Sequence, residues 1–583
     1  MFFLKFCYQS LLITARTKDI TLTDKSEILG SWEELAAYSQ KNEWPNLSRN
    51  RAIAIRTQRD VSENVTIEYS IAPGVDLSTV VFDPYGYNPG SLDTFRVLTN
   101  VGVQSFLLNL YYDETNKNWL MCSKEKIIEQ VNTDNYTECN VSNFNITSFI
   151  ATLNQFLVAT NNDLNINLMF LLIKLNSFTV SPNELIPSNL TDSGIMSLSS
   201  IFSTIVKVVS PLDVDNNELP TLHNLLFKLS KRVFPVIIED NLPSNTTYSL
   251  ADDKYTFFTS KDSKTSASVS LNVLDMEIES EDDMECQTLE TVYNSSSLHF
   301  AYDSEDVPFT IQSYWESIQC GYSPIINHAF SNISDFSTFL EVSLWSWSPY
   351  QPTVTATDEL SISSLFSNLS NRGMPDYIIN SEFSNTTNLP HIMENTSSTN
   401  TGNANGENND DNDYDEYDNR CAVLSRLGWI ATSCERKLRA FCVSSTNSSD
   451  FAITSDKNTY AKANMDCKSL DEKYELAVPR NALQQEYMMS IIPAGENVLW
   501  INLNSLSSKN CWVVGIDTNC PYQAVVSHHI FIQMITPSSV MGILLVIIFL
   551  AMQFQQLPVY SNRKYWRKLL NEKLKNDYDG VPS

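Results

Sequence analysis

Histidine is scarce in this chain: there are six residues in 583, and none precedes His223. Sites that need a general base facing a general acid draw most often on histidine, and no histidine pair of that kind can come from anything before His223. Glycine is sparse too, at 15 residues, and no Gly-rich phosphate loop, Gly-x-Ser-x-Gly elbow or His-Glu-x-x-His is present. Positive charge is in deficit, with 39 Lys and Arg against 68 Asp and Glu and a formal net charge of −29. A surface of that sign repels phosphate backbones, which excludes direct nucleic-acid binding. No Cys-x-x-Cys or Cys/His cluster of zinc spacing occurs, and no cofactor is implied.

Charge of either sign is missing between Thr518 and Asn562, and that stretch contains the apolar run Val540–Met552. With its flanks, residues 537–556, it reads as a transmembrane helix, because a buried core helix would keep a polar stripe at helical period. Residues 557–583 form a basic tail carrying Arg563, Lys564, Arg567, Lys568, Lys573 and Lys575. That asymmetry predicts a single-pass type I protein with a cytoplasmic tail and a luminal or extracellular ectodomain. The tail reads as a topology signal or an anionic-lipid contact. Residues 1–18 read as a signal peptide, although Lys5 and Gln9 split the apolar run; a short buried helix is the alternative.

A hydrophobic content of 43% and an aromatic content of 11% call for packed cores. Of eleven cysteines, Cys7 lies in the leader. The other ten, Cys122, Cys139, Cys286, Cys320, Cys421, Cys434, Cys442, Cys467, Cys511 and Cys520, all precede the apolar span. An even number on the oxidising side predicts disulfides. N-glycosylation sequons start at Asn46, Asn64, Asn135, Asn140, Asn145, Asn189, Asn245, Asn294, Asn332, Asn368, Asn385, Asn395 and Asn447, and none lies in the tail. Chance in so Asn-, Ser- and Thr-rich a chain gives roughly ten, so the number alone says little.

Residues 50–352 alternate strand-like and helical stretches. The strand-like runs are Val65–Ile71, Ser105–Tyr112, Asn167–Ile173, Val233–Ile238 and Phe339–Trp345. Several are continuously apolar, as strands covered on both faces are, and the alternation predicts an α/β barrel rather than a sandwich. Asp275 to Glu285 reads as a solvated loop, and residues 395–420 as a disordered acidic insertion. The aspartates of that insertion lack the glycine and glutamate positions of an EF-hand, so no calcium site is assigned. Residues 421–525 read as a compact cysteine-rich module.

The run Asn64–Asp76, followed by Val101–Tyr111 and Trp119–Cys122, resembles the opening of phosphatidylinositol phospholipase C-like phosphodiesterases. Those proteins carry Pro-Gly-Thr-His after the first barrel strand; here Pro73 and Gly74 are followed by Val75 and Asp76. The resemblance implies a degenerate TIM barrel whose catalytic histidines are absent. Each of the six histidines reads as structural or solvated. A carboxylate enzyme built on Glu68, Asp76, Asp113 or Glu114 is the rival reading, for a phosphodiester or a glycan. In the cysteine-rich part, Trp429–Cys434 with Arg439–Cys442 resembles the closing half of a C-type lectin-like α+β domain. Tyr460–Cys467, Leu476–Asn481 and Leu499–Leu503 resemble its opening half, so the order is inverted. The calcium-binding residues of sugar-binding members are missing, which favours a structural or protein-contact module; a glycan ligand is the alternative. One pairing expected among the ten is Cys421–Cys434, Cys442–Cys467 and Cys511–Cys520, with Cys122–Cys139 and Cys286–Cys320 upstream, although connectivity does not follow from sequence alone.

Across nearly the whole chain, Gln58–Thr66, Tyr85–Leu92, Val101–Gln104, Trp345–Pro349 and the C-terminal anchor resemble the fungal maintenance of telomere capping protein 6 family. The resemblance implies a single-pass membrane glycoprotein with a role in telomere capping and no assigned catalytic residues. A luminal, acidic, disulfide-bonded ectodomain cannot touch chromosome ends, so that role is expected to be indirect.

Overall fold

The computed structural model describes residues 47–127, 144–179, 197–214, 219–250, 255–260, 270–277, 297–330, 334–352, 419–522, 541–551 and 559–576, together with Cys139 and Asp253. The leader, the acidic insertion and the flanks of the apolar span lie outside them. Residues up to Cys520 form one unit and Pro521–Ser583 a second.

The first unit is built on a partial TIM barrel. Strands β1 (Gly74–Asp76), β2 (Ser105–Asp113), β4 (Met169–Phe178), β5 (Val233–Asp240), β6 (Phe258–Ser260), β7 (Ser270–Glu277), β8 (Ser297–Tyr302) and β9 (Ser323–Ile326) pair in parallel. Their order is β1-β2-β4-β5-β6-β7-β8-β9, and β9 pairs back onto β1. An antiparallel strand β3 (Asn118–Leu120) extends β2 outside the ring. The apolar runs of β2, β4 and β5 are explained by burial on both faces. Leu107, Phe170, Leu172, Phe234, Val236, Phe300 and Ile325 form the inner core, while their neighbours Phe106, Leu108, Leu171, Ile173 and Ile237 pack outward into a second core. Gly74 is dictated by close approach, because a Cβ there would lie 2.2 Å from the Ser105 carbonyl oxygen.

Two expected strands are not strands. Val65–Ile71 contains only a 3₁₀ turn, Ile67–Tyr69, and a single antiparallel bridge from Thr66 to Thr221. The turn swings fully buried Ile67 into the inner core, beside Leu222 and Leu225. Phe339–Trp345 begins as the end of a helix, Ser334–Glu341, and then runs irregularly. Its alternate apolar residues pack against the outer core rather than entering the ring.

A helix, Arg49–Val61, starts at the Ser48 cap, whose hydroxyl accepts from Arg51 N. Arg51 is buried. Its Nε donates to the Val101 carbonyl at 3.0 Å, Nη1 donates to the Leu340 carbonyl, and Nη2 donates to Ser343 Oγ at 2.8 Å. Arg59 Nη1 and Nη2 donate to the carbonyls of Ile166 and Asp163. The helix thus binds the N-terminal ends of β2 and β4 through backbone carbonyls.

The cysteine-rich residues form two three-stranded antiparallel sheets. One runs β11-β10-β15 (Gly428–Thr432, Cys421–Ser425, Leu499–Asn504), the other β13-β12-β14 (Asn447–Ile453, Phe441–Ser444, Tyr474–Leu476). Helices Tyr460–Leu470 and Ala482–Ser490 accompany them. Disulfides join Cys421 to Cys434, Cys442 to Cys467, and Cys511 to Cys520; in the barrel, Cys122 joins Cys139. Cys320 is also disulfide-bonded, and Cys286 lies outside the described residues.

This region shares its core with the barrel. Trp347 bridges in parallel to Trp429 of β11, with Trp429 N donating to Ser346 O and Ser348 N to Trp429 O. Trp345, Trp347, Trp429 and Trp512 pack edge to face at 5.0 to 5.5 Å. Gly428, at φ +113°, leaves no room for a Cβ, which would meet Ser346 O at 2.7 Å. From the first helix, Arg56 donates to Asn510 O and Gln58 Oε1 accepts from Ser346; just beyond it, Ser62 donates to Arg480 O.

Replacing Arg51 with leucine removes three bonds at once and leaves the buried Val101 carbonyl unpaired, while the Leu340 carbonyl keeps its bonds from Ser343. We expect a loss of about 3–5 kcal/mol in urea unfolding of the purified chain. Trp fluorescence and far-UV signals should move together, since one core holds both regions.

Candidate functional site

Side chains that face the barrel axis reach solvent at the C-terminal ends of the strands, where enzymes of this architecture place their chemistry. Register puts Asp76 level with Leu107, and Asn109 level with Lys174, itself level with Glu239. Leu107 and Leu172 belong to the inner core. Asn109 and Lys174, two residues further along, therefore point inward at the mouth, as Asp76 does.

Asp76 is 4% exposed. Its Oδ1 accepts from Ser78 N at 2.7 Å, and Asn109 Nδ2 lies 3.3 Å from Oδ2 and 3.2 Å from Ser78 Oγ. Burial pushes its carboxyl up from the ordinary 3.8 to about 6, against the opposing pull of the Ser78 bond and the Lys174 charge. Lys174 Nζ pairs with Glu239 Oε1 at 2.6 Å and lies 5.8 Å from the ring centroid of Tyr302. Strands β4 and β8 stand on opposite sides of the ring, so this lysine spans the mouth.

A second group sits beside the first. Thr79 Oγ1 donates to Asn327 Oδ1 at 2.9 Å, and Asn327 N donates to Asp303 Oδ1. Asp303, with a fully buried side chain, holds His328 Nδ1 at 2.5 Å through Oδ2. The rim from β2 through β1 and β9 to the residue after β8 is thus one connected polar network. Its residues are the means to bind hydroxyls or to move a proton, and their groups are engaged with one another. Among the described residues, no group of three His, Cys, Asp or Glu side chains could hold a metal ion.

A profile described as the MTC6 partial TIM-barrel domain matches residues 45–346, just over half of the chain. The chain belongs to the maintenance of telomere capping protein 6 family. The protein of that name from Komagataella phaffii is 28% identical over 574 residues, covering 93% of this chain and 97% of the relative. Those from Meyerozyma guilliermondii and Candida albicans strain SC5314 are 26% and 27% identical, each covering 91% of this chain and 94% of the relative. Among solved structures, a calcium-dependent phosphoinositol-specific phospholipase C from Pseudomonas matches with a TM-score of 0.30 at 9% identity, covering 48% of this chain and 95% of that one. A phosphatidylinositol-specific phospholipase C mutant from Staphylococcus aureus gives 0.25 at 11% identity, covering 50% and 99%. Both likenesses are slight.

Of the four carboxylates proposed as catalytic from sequence, the structure brings only Asp76 to the core of the mouth. Asp113 caps the turn after β2, accepting from Thr115 N, Asn116 N and Asn116 Nδ2. Glu114 ties down a loop through Thr246 and Thr247, bonds that lower its pKa. Glu68 sits in the 3₁₀ turn that precedes β1, at the end of the barrel opposite the mouth.

His328 was read as structural or solvated, and the structure places it on the rim; its signal was a position just after the apolar strand Ser323–Ile326. His299 is buried on the outward side of β8, edge to face with Tyr322, and His223 lies 3.6 Å from Glu63. His391, His528 and His529 lie outside the described residues. The described sequon asparagines Asn64, Asn145, Asn245 and Asn447 are all exposed. Asn145 caps helix Ile146–Ala159 through Oδ1, which leaves Nδ2 for a glycan. The other sequons lie outside the described residues.

Asp76 generates a pH prediction. Its folded value lies above the unfolded one, so the native state holds the proton more tightly. Stability falls as pH rises from about 4 to about 6, then stays level. Asp76→Asn removes the penalty: thermal unfolding should show a gain of up to about 3 kcal/mol at pH 7 that shrinks toward zero near pH 4.

Proposed function

We propose that this chain is a non-catalytic, single-pass type I membrane glycoprotein, and that its part in telomere capping is indirect. The observation that carries the non-catalytic reading is the internal pairing at the barrel mouth. Lys174 is held by Glu239, His328 by Asp303, and Asp76 by Ser78 and Asn109. Position 76, where the phosphodiesterases that it resembles carry histidine, holds a buried aspartate, and no second histidine stands across from His328 among the described residues. Two-histidine phosphodiester chemistry has no acid–base pair to run on.

The membrane reading rests on residues 541–551, helical and exposed throughout, followed by the basic helix Val559–Asn576. Among the described residues, no helix is long and apolar enough to cross a membrane; the span needs the flanking residues 537–540 and 552–556. Disulfides fit an oxidising lumen, and the charge of −29 opposes nucleic acid. In this reading the fused barrel and lectin-like β region present a surface to a glycan or protein in the secretory pathway or at the cell wall. An effect on telomeres then follows from that work at a distance.

A second reading, a carboxylate hydrolase, is favoured by Asp76 itself. A carboxyl raised to about 6 beside a polar rim is the signature of a working acid as well as of a buried relic.

The deciding experiment is protease protection and glycosidase digestion in intact microsomes. The reading expects everything before residue 537 to be protected, with endoglycosidase-sensitive mass at exposed sequons, and the tail to be clipped from outside. An unglycosylated ectodomain open to cytosolic protease would sink it.

A further inference from the structure

Within the second unit, Pro521–Ser583, the described residues carry exposed apolar side chains. In residues 541–551, Ile543, Leu545, Val546 and Phe549 are each about three-fifths exposed. Helix Val559–Asn576 continues the pattern differently. Trp566 is 61% exposed, Leu570 58% and Leu574 54%, and at 100° per residue these three fall along one side together with Leu569. Lys564, Lys568 and Lys575 take the opposite arc, with Arg567 at the edge of the apolar side; Arg563 and Lys573 lie between the apolar residues, and Glu572 is the one acid within the helix. A solvated basic helix has no need of an exposed tryptophan and leucines on one side. An interfacial helix does, with the aromatic ring at headgroup depth and long cationic stems reaching outward.

We propose that Val559–Asn576 lies along the surface of an anionic phospholipid leaflet, apolar side toward the acyl chains and cationic arc on the headgroup phosphates. Charge complementarity selects the occupant. Five net positive charges are gathered on one helix of a chain whose formal charge is −29, directly after an exposed apolar helix. A second protein copy would have to bring those cations together, whereas an anionic leaflet neutralises them. The proposal rests on the membrane reading above and adds to it a lipid class.

The test uses the full chain in vesicles of phosphatidylcholine, alone or mixed with phosphatidylserine. Trypsin cleavage after Lys573 and Lys575 is followed by mass spectrometry. Cleavage should slow roughly tenfold when phosphatidylserine is present, and the protection should vanish in about 0.5 M salt. The variant carrying R563Q, K564Q, R567Q and K568Q should be cleaved equally in both vesicles, and Trp566→Ser should lose much of the protection with its cations intact. Equal cleavage of the parent chain in both vesicles overturns the proposal, and so does protection in both accompanied by cross-linked dimers. If carbonate extracts the chain from microsomes, the transmembrane reading fails by itself. The helix is still scored then, because flotation with phosphatidylserine vesicles and not with phosphatidylcholine supports it, and flotation with neither overturns it.

Discussion

The buried Arg51 guanidinium is the constraint on which the rest of the fold depends. Taking a cation out of water costs several kcal/mol unless its donors find acceptors. Here they find the Val101 and Leu340 carbonyls and Ser343 Oγ. Burial lowers its pKa, and the Glu341 charge opposes that shift. Val101 leads into β2, and Leu340 and Ser343 lead into the tryptophan segment, so one side chain ties the first helix to the barrel and to the junction. The same helix sends Arg56 and Gln58 to the cysteine-rich side and Arg59 to the barrel side. What composition suggested as two modules is therefore one body with a shared core.

The two ends of the barrel are built on different terms. At the N-terminal end, the Arg51 and Arg59 guanidiniums bond to backbone carbonyls, with Asp60 ion-paired to Arg59, an arrangement that locks geometry. At the mouth, side chains bond to side chains, and Asp76 is kept at an energetic cost that asparagine would avoid. Cost of that kind marks places where a residue was retained for something other than stability. It is compatible with the remains of a hydrolytic site and with a polar rim that now only binds. The engaged state of Lys174 and His328 weighs toward the second.

Much of the barrel was legible in the sequence. Ser105–Tyr112, Asn167–Ile173 and Val233–Ile238 are apolar on both faces, and only strands buried inside and out need that. Val65–Ile71 misled because its period-two pattern is that of a half-buried strand, whereas the segment turns at residues 67–69 to deliver Ile67 as a plug. Phe339–Trp345 misled similarly: Trp345 serves the junction with Trp429, and Phe339 packs on Tyr314 and Phe330. The mouth was harder to read. Asp303 and His328 are 25 residues apart and meet only because β8 and β9 are neighbours in the ring. Glu68, Asp113 and Glu114 are chemically able carboxylates, but turns and loops consume them.

Three of the stretches that carry the family resemblance, Gln58–Thr66, Val101–Gln104 and Trp345–Pro349, meet at the end of the barrel away from its mouth. Gln58, Arg59 and Ser62 from the first, Gln104 from the second and Trp345 from the third line one cavity beneath the inner core. These residues mark how the helix, barrel and cysteine-rich region are locked together, not what the barrel does. The phosphodiesterase-like Pro73-Gly74 turn belongs with them. A Cβ at residue 74 would collide with Ser105 O, so glycine is required by strand spacing whatever chemistry follows. Positions 75 and 76 carry no such requirement, and there the resemblance stops. A turn can therefore be kept through steric necessity alone, whatever residues follow it.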